Sequence, residues 1–166
     1  MKMGGLFMNI GKFYDQQRKY NKLLVIDPKI NKSKMSTRKY LALNVKLSAL
    51  ANETQCFKYW IDKNYKMISN RIFDKYVECL SHILTIGLDK NYIDIAEVDV
   101  RPNDYCLSDQ FLNLFVDIND MMISCSRDHY QTLFEDFISL GISLGFSQRK
   151  IERGFLNSSP CFSIAL

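Results

Sequence analysis

At 166 residues the chain is long enough to bury one substantial core and reads as a single domain over 1–166. Its net charge of +4 is mild, and no aromatic ladder or groove-reading motif accompanies the lysines, so nucleic acid is not an expected partner. No apolar run approaches the roughly 18 residues of a membrane span and MKMGGLFMNI lacks a signal peptide's apolar core, so a cytoplasmic protein without a membrane partner is expected.

Met1, Met3 and Met8 could each start translation, and residues 1–8 are expected to form a disordered extension. Residues 9–25 place Ile10, Phe13, Tyr14, Gln17, Tyr20 and Leu24 at helical spacings, which predicts an amphipathic helix ending before Asp27-Pro28. Asp27 to Ser36 reads as a polar connection in which Lys29–Lys34 is a solvated linker, with Ser36 or Thr37 as the next N-cap. From Thr37 to Trp60, Leu43, Leu47, Leu50 and Thr54 fall on one helical face. A second long helix is predicted over 69–88, with a wide apolar stripe through Ile72, Phe73, Tyr76, Val77, Leu80, Ile83, Leu84 and Gly87.

Residues 89–107 read as a connector. Helices follow over 111–125, 130–144 and 148–156. No stretch alternates with period two between hairpin turns, so strands are not expected. Five cysteines, Cys56, Cys79, Cys106, Cys125 and Cys161, share no C-x-x-C spacing, which points to reduced thiols that pack as small hydrophobes.

The segment Leu50 to Trp60, LANETQCFKYW, resembles the signature L-A-N-E-T-x-C-F-K-F-W of the dimeric, all-α dUTPases, relatives of the MazG-type nucleoside triphosphate pyrophosphohydrolases. Residues 76–84 are similar to that family's Y-V-D-G-L-H-F-I-L, and Leu140–Ser147 matches its L-G-x-x-L-G-F-S. The resemblance implies an all-α, MazG-like helical bundle of five to six helices that pairs as a dimer. It also implies that Gln16 or Gln17 reads the uracil edge, where an amide offers a donor and an acceptor together. Asn52, Lys58 and Trp60 would face the nucleotide. For Trp60 the residue type alone equally suggests a core anchor.

The chain departs from the family where the chemistry is done. Metal-assisted pyrophosphate cleavage needs hard oxygen ligands for Mg²⁺, supplied in the family by two carboxylate pairs on facing helices. The corresponding positions here are Lys46, Ala49, Lys75 and Glu78. Formal charge over those positions goes from about −4 in the family to about +1 here. The family's histidine position holds Ser81, with His82 one place later. Its basic, amide-rich phosphate-gripping tail is replaced at Ser158, Ser159, Phe162, Ala165 and Leu166. No intact catalytic set, no metal and no cofactor are therefore expected.

Two arrangements of the remaining charges compete. Lys46 and Lys75 could pair with Glu53, Asp74 and Glu78, replacing the metal by internal ion pairs. Alternatively Glu53, Asp74 and Glu78, with His82, could form a shifted acidic site holding one Mg²⁺.

The first arrangement implies a dUTPase-like pseudoenzyme that acts through protein–protein interaction, as a homodimer, as a heterodimer that inhibits an active dUTPase, or bound to a regulator of one. The second implies weak or altered pyrophosphohydrolase activity. A third reading is a metal-free binder of deoxyuridine nucleotides. The Lys-, Asn- and Ile-rich composition suggests a bacterial or phage source.

Overall fold

A computed structural model describes residues 6–158. Its centre is the helix whose sequence is apolar on most of its surface, Ser69–Asp89, with ten buried residues. Around it lie a strand, β1 (Leu6–Asn9), and helices α1 (Gly11–Asn21) and α2 (Lys32–Thr54); the central helix is α3. After it come a second strand, β2 (Glu97–Val100), then α4 (Leu107–Ile123), α5 (Arg127–Ser143) and α6 (Gln148–Leu156). α3 touches α1, α2, α5 and α6, while α4 bridges α2 and α5. No helix among the described residues is long and apolar enough to cross a membrane.

Local signals explain most boundaries. Asn31 caps α2, its side chain accepting from Lys34 N at 2.9 Å, and Gln55 ends that helix in the left-handed region at φ 56°. Ser126 and Ser147 cap α5 and α6 in the same way, each accepting at 3.1 Å from the amide three residues on. The expected cap at Ser36 or Thr37 is therefore wrong. The helix starts five residues before Thr37, and the supposed linker Lys29–Lys34 runs into its first turn, where Asn31 supplies the cap.

α3 and α5 approach closely by exchanging tyrosines for glycines. A Cβ on Gly87 would lie 2.1 Å from the Tyr130 hydroxyl, and one on Gly141 would lie 2.4 Å from that of Tyr76. Both hydroxyls are buried and both donate to backbone carbonyls across the interface, Tyr130 to Ile83 at 3.1 Å and Tyr76 to Phe137 at 3.2 Å. Glycine in mid-helix costs about 1 kcal/mol relative to alanine, which the two large buried rings more than offset.

Two expectations at the ends of the core need correction. β1 and β2 form an antiparallel ladder, Leu6 opposite Val100 and Met8 opposite Val98. Residues 6–8 are thus part of the fold, and Met8 is fully buried. β2 does alternate, Glu97-Val98-Asp99-Val100 with both valines buried, but at four residues it lies at the short limit of a readable strand pattern and no hairpin turn bounds it. The cysteines also divide: Cys79 is buried, Cys56 half-buried, and Cys106 and Cys125 are exposed at helix ends. There their thiols meet hydroxyls, Cys106 that of Ser108 at 3.1 Å and Cys125 those of Tyr92 at 3.4 Å and Tyr40 at 3.7 Å. Cys161 and the tail positions Ser159, Phe162, Ala165 and Leu166 lie outside the described residues.

Candidate functional site

α2 and α3 pack along much of their length, which brings the residues at the family's ligand positions together. Glu78 is the only carboxylate among them. Its Oε2 meets Lys46 Nζ at 3.0 Å and its Oε1 meets Lys75 Nζ at 3.1 Å. Both oxygens are thus occupied by ammonium groups, one from the facing helix and one from a turn earlier on the same helix. Burial pushes the Glu78 carboxyl upward, but the hydrogen bonds and charges of Lys46 and Lys75 outweigh it, and the group titrates below its ordinary range. Ala49 supplies no donor.

The other acids go elsewhere. Glu53 pairs with Arg71 at 2.8 Å. Asp74 is exposed on the outer side of α3. Among the described residues no group of three or more His, Cys, Asp or Glu side chains could hold a metal ion. His82 is driven down to about 4, first by burial and then by the Lys46 charge. It is therefore neutral at physiological pH, and its contribution to stability is lost as pH falls from its ordinary 6.5 through that value.

Gln17 has been drawn into the core. It is fully buried. Its Oε1 accepts from the Ser81 hydroxyl at 2.7 Å and its Nε2 donates to Asn21 Oδ1 at 2.9 Å. Thr85 closes the chain, donating to Asn21 Oδ1 at 3.2 Å and to the Ser81 carbonyl at 2.9 Å. A donor and an acceptor of the amide that would read a base are engaged by the protein itself. Gln16 is half-buried beside it.

The last turn of α2 and the loop after it carry the remaining sequence-predicted residues. Asn52 is exposed. Lys58 is paired with Asp62 and lies 5.7 Å from the Trp60 ring centroid. Trp60 is 49% exposed, edge-on to Tyr59 at 5.0 Å and Phe57 at 6.1 Å, so it is no core anchor. Among the described residues no hydrogen bond or ring contact joins Gln17 to Asn52, Lys58 or Trp60.

One feature had no counterpart in the sequence expectations. A cleft of about 310 Å³ opens beside the Gln17 network, walled by Leu24, Val25, Ile26, Ile30, Met35 and His82. The apolar run Leu23–Ile26 immediately before Asp27-Pro28 was its available signal.

The bundle sets its two longest helices, α2 and α3, against each other with the Lys46–Glu78–Lys75 bridge between them, the kind of facing-helix arrangement in which helical bundles build their carboxylate metal sites. The family model described as dUTPase matches residues 9–159, and the chain belongs to that all-α dUTPase family. No curated protein and no solved structure matches it. The Mg²⁺ that the family's chemistry implies does not fit the residues present. Ammonium groups offer no lone pair to a hard cation and repel it, and the single carboxylate is already neutralised twice over.

Proposed function

We propose that this protein is a dUTPase-fold pseudoenzyme, a cytoplasmic protein that has exchanged metal-dependent hydrolysis for recognition of another protein. The observation that carries the reading is the Lys46–Glu78–Lys75 bridge, with contacts of 3.0 and 3.1 Å. A carboxylate held between two ammoniums is a structural element that ties α2 to α3, where the family's chemistry needs an open ligand set. The engagement of Gln17 by Ser81 and Asn21 supports the same reading from the base-recognition side.

A protein partner is favoured by apolar surface on two helices that pack together. Leu41 and Val45 of α2 are 61% and 56% exposed, and Leu112 and Val116 of α4 are 63% and 57% exposed, each pair at i, i+4. A second copy of this chain or an active dUTPase subunit would cover such faces with its own.

Two assays test the proposal. Pyrophosphate release from dUTP with Mg²⁺ or Mn²⁺ should stay at background, and turnover abolished by Glu78→Ala would overturn the claim of inactivity. Adding the protein in excess to an active all-α dUTPase should lower its turnover or shift its sedimentation. If neither changes, and the protein alone sediments as a monomer, the interaction reading fails.

A further inference from the structure

A strongly cationic hollow among the described residues lies away from the α2–α3 ion pairs, along α6 from its N-cap Ser147 to its C-cap Asn157. It is an open cavity of about 600 Å³ lined by Phe73, Ser147, Arg149, Lys150, Arg153 and Asn157. Three of those six side chains are cationic, and none of the three forms an ion pair among the described residues.

Helical spacing explains the convergence. Arg149, Arg153 and Asn157 follow one another at i, i+4 and i+8, and Lys150 lies beside them. The residue one turn on from Lys150 is Gly154, where a Cβ would lie 2.3 Å from the Phe73 ring, so that ring packs directly against the helix as a wall. Lys150 is held in place by it. Its Nζ sits 4.7 Å from the Phe73 centroid and 4.8 Å from that of Phe146, a cation–π clamp that orders an otherwise mobile ammonium. The Asn157 amide and the Ser147 hydroxyl add neutral donors, and the α6 N-terminus contributes positive potential at the Ser147 end of the hollow.

Acidic neighbours do not cancel this charge. Glu152 turns to the opposite side of α6, where it accepts from Gln148 at 3.0 Å and lines a different hollow with Asn9 and Lys12. Asp74, adjacent to Phe73 in the chain, does not line the cavity.

Three cations, two of them guanidinium forks, that form no ion pair among the described residues and share one open hollow fit an anion of several charges and many acceptor oxygens. We propose that this cavity binds the oligophosphate group of a small phosphorylated ligand, without a metal ion and independently of the Lys46–Glu78–Lys75 bridge. The volume suits a ligand of nucleotide size. The cations come from one short helix rather than forming a stripe that would track a nucleic-acid backbone.

Calorimetric titration of the full chain with sodium tripolyphosphate, in chelator and low salt, tests the proposal. Saturable binding that weakens as salt rises is expected. An Arg149→Gln, Arg153→Gln double variant, whose changes are confined to exposed side chains, should lose affinity by at least about tenfold while keeping its far-ultraviolet circular dichroism and melting temperature. A Lys46→Gln, Lys75→Gln variant should bind as the parent does. Absence of binding to the parent, equal binding by the arginine variant, or loss only in the lysine variant would each overturn the assignment. So would binding of a single-stranded oligothymidylate but not of tripolyphosphate, which would mark a nucleic-acid surface instead.

Discussion

If Glu78 is the tie between α2 and α3, replacing it with glutamine should cost stability in a way that depends on pH. Its contacts of 3.0 and 3.1 Å would each be worth about 5 kcal/mol by Coulomb's law at an effective dielectric of about 20. The side chains of Lys46, Lys75 and Glu78 are 32%, 39% and 22% exposed, so screening and side-chain ordering reduce each pair to about 1 kcal/mol. Glutamine preserves the shape but leaves two ammoniums around a neutral amide, and the total loss should be about 2 kcal/mol.

The pH dependence fixes the cause. Because the folded-state pKa of Glu78 is lowered from its ordinary 4.5, its contribution is fully present above that value. It is lost as pH falls through the depressed one. Urea unfolding of Glu78→Gln and the parent should therefore differ by about 2 kcal/mol at neutral pH and converge in strong acid. A variant as stable as the parent at neutral pH, or a difference that persists unchanged in acid, would refute the ion-pair account.

Ser81→Ala should destabilise by about 1–2 kcal/mol, because it strips the Gln17 carbonyl of its buried donor; an unchanged urea midpoint would contradict that. The Asp117 carboxyl is raised to about 7, first by burial and then by the neighbouring charge of Asp136. The folded state thus retains a proton that the unfolded state has lost above 3.8, and stability falls as pH rises through 7. Asp117→Asn should accordingly gain about 1 kcal/mol at alkaline pH, allowing for partial exposure, and nothing in acid. Melting curves at the two extremes that show no such crossover would remove the argument.

The helices were legible because their apolar spacing is strong and their partners lie within one chain. Leu43, Leu47, Leu50 and Thr54 are all buried on one face of α2, as their period requires. The strands were not legible. Met8 and Val98 are buried opposite each other, but the ladder joins segments on either side of three helices, and nothing local to either announces the pairing.

The site divided in the same way. Losing carboxylates at Lys46, Ala49 and Lys75 is a matter of residue identity, and so could be read directly. Which acid each lysine meets depends on rotamers and on the facing helix. Glu53 turned to Arg71, and Glu78 took both ammoniums. Gln17 stood in the position expected for base recognition, yet its partner Ser81 lies 64 residues away. The α6 cavity depended on a glycine, Gly154, admitting an aromatic ring from α3, a tertiary event that helical spacing cannot express.

The central claim is that ammonium groups have displaced the metal between α2 and α3. Thermal melts in rising Mg²⁺ and Mn²⁺, run on the parent and on a Lys46→Glu, Ala49→Glu, Lys75→Glu variant, address it most directly. The parent should show no divalent-specific rise in melting temperature beyond a matched ionic-strength control, whereas the variant, with four carboxylates facing one another, should be stabilised by the metal. A parent that gains as much from Mg²⁺ as the variant would contradict the account.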